Sequence, residues 1–233
     1  MNHWSAPKRP AEYAEKSLVT AILNRDYPPG SSLPAERELA ALLGVTRPTL
    51  RETLKKLERD GWLTIQQGKS TRVNDFWKEG GLNVLNALVE HSEILSPSFV
   101  PNLLYVRLVL APAYTRLAVE NSPGQVQDFL EGAASLGDTP EEYAAYDWEL
   151  HHMLTTASGN PIFTLILNGF AGLYKQMATR YFQQANARKA SHEFYQLLNE
   201  ATKANDALKA ESITRDVMSE SIRLWEAQPG GAA

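Results

Sequence analysis

The chain has 233 residues, room for one or two domains. Its 43% hydrophobic content supports real cores, and the absence of cysteine excludes disulfides and thiolate chemistry. The net charge of -4 is unevenly spread: residues 1–76 hold 12 Lys+Arg against 9 Asp+Glu, residues 77–233 hold 11 against 18, so an anionic partner would meet the first third.

A first helix is predicted over 12–25, with Tyr13, Leu18, Ile22 and Leu23 inward and the run Tyr27 to Gly30 as its stop. Pro34 suits the first turn of a second helix, in which Leu39, Leu42 and Leu43 are spaced to face inward. Gly44 ends that helix as a left-handed cap. Thr46 is placed as the N-cap of a third helix, its hydroxyl accepting from the N–H of Thr49, and Pro48 falls in the tolerant first turn. Leu50, Leu54 and Leu57 form a buried stripe, while Arg47, Arg51 and Lys55 line another face at i, i+4 and i+8. Gly61 is a C-cap, and Trp62–Ile65 and Thr71–Val73 read as strands joined by the turn 66–70. Helix, tight turn, helix and hairpin make a winged helix-turn-helix, whose basic row suits phosphates and guanine edges in the DNA major groove. Gly68 and Lys69, at the hairpin tip, suit the minor groove.

The winged domain is expected over 1–74 and a linker over 75–81, marked by Gly80 and Gly81. Residues 82–233 read as an all-α bundle of about seven helices, near 82–92, 99–121, 124–135, 140–157, 161–184, 188–204 and 207–227. Breakers such as Pro97, Pro123 and Gly159 separate them, and Pro112 lies inside the second, which it should kink. The fold class is thus mostly α. No signal-peptide core or membrane-length apolar run is visible, so a cytoplasmic protein is expected.

Arg107 sits in an apolar helix, and a charge there needs a partner. Two readings stand: an ion pair with an acidic residue of the bundle, or a contact to a ligand's phosphate or carboxylate. Asp147 and His151, at i and i+4, are spaced to chelate a metal.

Several blocks carry a resemblance. Leu33–Leu39, Gly44–Glu52 and Asp60–Leu63 are similar to the GntR family of bacterial regulators. Val73–Trp77, Asn102–Arg107, Ala157–Ile162, Leu167–Gly169, Gly172–Tyr174 and Tyr181–Phe182 resemble its FadR-type branch, over nearly the whole chain. The resemblance implies a homodimeric transcription factor that represses fatty-acid degradation genes, activates unsaturated fatty-acid synthesis genes and leaves DNA when long-chain acyl-CoA binds. It implies DNA contacts at Arg37, Thr46, Arg47, Thr49, Arg51, Gly68 and Lys69, and acyl-CoA contacts at Arg107, Tyr181, Arg215, Met218, Ser221 and Trp225. Three positions depart from the branch. Pro48 replaces a threonine, and Gln67 replaces a histidine but still hydrogen-bonds, so it stays among the DNA contacts. Met218 replaces a small residue and would narrow the ligand passage.

Relatives in the wider family hold a metal with the Asp-x-x-x-His pair and two later histidines; here those positions are Tyr195 and Val217. No metal, cofactor or catalytic residue is therefore expected. A regulator sensing a small carboxylate through a metal is the alternative reading. A metal hydrolase using Asp147 and His151 is a remoter one, lacking a phosphate loop or nucleophile elbow.

Overall fold

A computed structural model describes residues 9–89 and 98–227. The chain forms two compact units, Met1–Leu95 and Ser96–Ala233.

The first unit contains α1 (Pro10–Leu23), α2 (Glu36–Leu43), α3 (Arg47–Arg59), β1 (Leu63–Thr64), β2 (Arg72–Val73), α4 (Phe76–Glu79) and α5 (Leu82–Val89). Gly44 is left-handed (φ 65°), its N–H meeting the Ala41 carbonyl at 3.2 Å while that of Val45 reaches Ala40 at 3.0 Å. The carbonyls of Ala40 and Ala41 are thereby satisfied in a Schellman arrangement. Thr46 caps α3, accepting from the Thr49 N–H at 3.3 Å. α3 ends like α2: Gly61 (φ 92°) bonds Glu58, and the Trp62 N–H reaches Leu57. β1 and β2 pair antiparallel, Leu63 opposite Val73 and Thr64 opposite Arg72. Leu18, Ile22, Leu50, Leu54, Leu57, Trp62, Leu63 and Val73 form the core.

Two residues expected inward face solvent: Tyr13 is 52% exposed and Leu42 68%. In the two turns of α2 only Leu39 and Ala40 are buried, so Leu42 points away. The stretch 75–81, expected as a linker, carries α4. The Phe76 ring lies 4.9 Å from that of Trp62, and a Cβ at Gly61 would stand 2.7 Å from the Cα of Gly80. Gly61, lacking a side chain, thus permits the close approach of the Gly80 backbone. α5, expected in the bundle, belongs to the first unit. The expected end of that helix and the break at Pro97 lie outside the described residues.

The second unit holds α6 (Phe99–Asn121), α7 (Pro123–Glu131), a 3-10 turn (Gly132–Ser135), α8 (Pro140–Ala157), α9 (Pro161–Gly169), α10 (Ala171–Phe182), α11 (Ala185–Lys203) and α12 (Ala207–Glu226). Thr139, Asn160 and Asp206 cap α8, α9 and α12 through their side chains. The expected helix 161–184 is two helices meeting at Phe170, and 124–135 ends as a 3-10 turn. α6 continues through Pro112. α12 buries Ala210, Ile213, Thr214, Val217, Met218, Ser221 and Trp225, one stripe along its length. It packs on α6 and α11, and α8 packs on α6 and α10. The unit is an all-α bundle, and no described helix is long and apolar enough to cross a membrane.

Candidate functional site

Two sites emerge, one in each unit. In the winged unit, Arg37 on α2, Arg47 and Arg51 on α3, and Gln67, Gly68 and Lys69 at the hairpin tip are all exposed. Gly68 has φ 75°, a conformation that favours glycine. The hydroxyls of Thr46 and Thr49 share a hydrogen bond of 2.8 Å. Pro48 is exposed beside them. Sequence reasoning missed Glu36. At the N-terminus of α2 its carboxylate is favoured by the helix dipole; it accepts from Arg51 Nε at 2.7 Å and lies 4.0 Å from Arg47. The recognition-helix arginines are thus held by an acid on the preceding helix.

In the helical unit, α6, α8, α9, α10 and α12 enclose a cavity of about 120 Å³, roughly ten times what one water needs. Leu103, Leu110, Phe163, Ile166, Leu167 and Met177 give it apolar walls. One wall is polar. Arg107 donates to Asp147 Oδ2 at 2.7 Å and lies 2.6 Å from His151 Nε2. His151 Nδ1 lies 2.7 Å from the Tyr114 hydroxyl. Tyr174 donates to Asp147 Oδ2, and Tyr195 to Oδ1 at 3.1 Å.

This geometry fixes protonation. A guanidinium only donates, so His151 Nε2 accepts, and the ring is neutral with its proton on Nδ1 facing Tyr114. Burial, then the nearby Arg107 charge, lower the His151 pKa to about 3. Burial pushes Asp147 up, but Arg107 and the hydroxyls of Tyr174 and Tyr195 outweigh it and hold the carboxylate below its usual range. Burial raises Tyr174, Tyr181 and Tyr195, which stay protonated. The cluster therefore carries one positive and one negative charge. Arg107 Nε is buried without a hydrogen-bond partner.

Of the six residues expected to hold a ligand, Arg107, Tyr181, Ser221 and Trp225 line this cavity. Tyr181 donates to Ser221 at 3.4 Å. Two do not line it. Arg215 is 54% exposed and paired with Glu211 at 3.0 Å. Met218 is buried in the core, so its bulk lies outside the cavity. Tyr114 and Tyr174 were missed, although Tyr114 lies two turns beyond Arg107 on the same face of α6. Asp147 and His151, spaced for a metal, instead face the Arg107 guanidinium, and the described residues contain no group of three or more His, Cys, Asp or Glu arranged for one.

The comparisons match both parts of the chain but divide it at residue 73, so that α4 and α5 fall with the C-terminal match although they are compact with the first unit. Residues 10–73 match the model for "Bacterial regulatory proteins, gntR family", and residues 74–229 match that for the "FadR C-terminal domain". A "Fatty acid metabolism regulator protein" of Shewanella denitrificans is 43% identical over 94% of this chain and 92% of its own. Its namesake in Shewanella oneidensis is 44% identical over 94% and 91%. The solved structure of Lar, titled as controlling the agr system of Listeria monocytogenes, shares the fold with a TM-score of 0.63 at 15% identity, over 97% of this chain and 100% of its own. The chain belongs to the GntR family, in its FadR branch: it is a DNA-binding transcriptional regulator of the fatty acid metabolism regulator type.

Proposed function

We propose that the protein binds operator DNA as a homodimer through Arg37, Thr46, Arg47, Thr49, Arg51, Gln67, Gly68 and Lys69, and that a long-chain acyl-CoA in the helical unit releases it. On this reading it acts in the cytoplasm, represses fatty-acid degradation genes and activates unsaturated fatty-acid synthesis genes. The observation that carries the ligand half is the apolar cavity with a single polar wall, lined by four of the residues implied by the resemblance. Such a cavity suits a chain bearing one neutral acceptor, as a thioester does. No catalytic role is assigned to Asp147 or His151, because Arg107, Tyr174, Tyr195 and Tyr114 already occupy their polar atoms.

Each buried methylene contributes about 0.8 kcal/mol, so chain length should dominate affinity. Release requires the ligand to prefer the conformation that does not bind DNA. The test is a gel-shift titration on a duplex that the protein selects from a random pool. Palmitoyl-CoA should displace the protein at about micromolar concentration, and octanoyl-CoA and CoA should do so poorly. Trp225→Ala should keep DNA binding and lose most of the response. An intact complex at saturating palmitoyl-CoA would overturn the ligand reading and leave DNA binding standing.

A further inference from the structure

The six arginines of the helical unit divide unevenly. Five pair with carboxylates: Arg107 with Asp147, Arg116 with Glu120, Arg188 with Asp138, Arg215 with Glu211 and Arg223 with Glu220. Arg180 has no carboxylate within 4.0 Å among the described residues. Its guanidinium instead lies 5.1 Å from the centroid of the Trp225 ring. Trp225 is buried and lines the cavity, as does Tyr181 next to Arg180 in sequence. Arg180 itself is exposed on the last turn of α10. Its stacking contact therefore marks a place where the cavity wall meets solvent.

A guanidinium is weakly hydrated, always charged and shaped to grip phosphate through two parallel N–H bonds. Stacking on an indole restrains the fork without using its donors, since the attraction runs through the ring face. An arginine already neutralised by a carboxylate would have to exchange partners to bind an anion; Arg180 would not. The unit is otherwise acidic, so a cation without a carboxylate partner at this edge is a local attractor for an anion.

We propose that Arg180, held on Trp225, binds a phosphate on the head group of the cavity's ligand while the cavity takes the chain. The inference rests on the acyl-thioester reading above and assigns the anionic contact to Arg180 rather than Arg215. The full-length protein would be titrated with two ligands below their micelle concentrations. One is palmitoyl-CoA; the other is S-palmitoyl-pantetheine, with the same chain and thioester but no phosphate. Wild type should bind the CoA ester about tenfold more tightly, the scale of a charge-assisted contact. Arg180→Gln should remove most of that advantage and leave the pantetheine ester within about twofold, and Arg180→Lys, which keeps the charge and loses the fork, should fall between. Equal weakening of both ligands by Arg180→Gln would mean that Arg180 only braces Trp225, and weakening of neither would remove it from the site; each overturns the inference alone. If wild type binds neither ligand, the acyl-thioester reading falls, and this inference with it.

Discussion

At the scale of single residues, His151 gives a pH dependence with a definite sign. Its pKa is about 3 in the folded protein and near the ordinary 6.5 when unfolded. Between those values the unfolded chain binds a proton that the folded one refuses, so stability rises with pH across the window. The contribution is fully present above about 6.5 and is lost as pH falls toward 3. Urea unfolding from pH 7.5 to 4 should show this slope, and His151→Gln should flatten it while lowering stability at pH 7. An unchanged slope in the variant would assign the titration to another group. Part of this cluster was legible in the sequence. A cation in the apolar run around Arg107 demands a partner, and Asp147 with His151 share a helix face. That the three meet was not legible, because packing of α6 on α8, not local spacing, brings them together. Arg180 was invisible for the same reason: its ring partner lies on another helix.

At the scale of elements, the turns were the most readable parts, because their chemistry is local. Gly44, Thr46 and Gly61 stand where caps were expected. The two left-handed glycines nonetheless differ. A Cβ at Gly44 meets nothing within 4 Å, whereas at Gly61 it would collide with the backbone of Gly80. Gly44→Ala should therefore cost about 1–2 kcal/mol of conformational strain alone. Gly61→Ala should cost measurably more in chemical denaturation, since α4 must move away. Equal losses would show that the approach of Gly80 contributes nothing. The sequence hid α4 because Gly80, whose missing side chain lets Val84 and the Phe76 carbonyl pack close, reads with Gly81 as a linker. It merged α9 with α10 because both present apolar faces and no proline separates them. The inward placement of Leu42 failed because α2 is too short to bury more than a narrow stripe.

At the scale of the whole molecule, one set of bonds joins α6, α8, α10 and α11 through Arg107, Asp147, Tyr174 and Tyr195. Arg107→Leu would leave the Asp147 carboxylate buried and unpaired, at about 3–5 kcal/mol. Thermal melts should show that loss, and adding Asp147→Asn should recover a good part of it. Additive losses in the double variant would mean that the pair is not coupled. These bonds also depend on one another. Arg107 orients Asp147, Asp147 takes both tyrosines, and His151 keeps its tautomer only while Arg107 donates to it. On the proposed ligand reading, a chain pressing on α10 should therefore displace these bonds together rather than one by one, since packed interiors switch between discrete arrangements. A graded series of chain lengths should then behave as a dimmer wired to a toggle. Shorter chains should demand more ligand to reach the half-way point, yet every chain that reaches it should drive the helical unit to the same final shape.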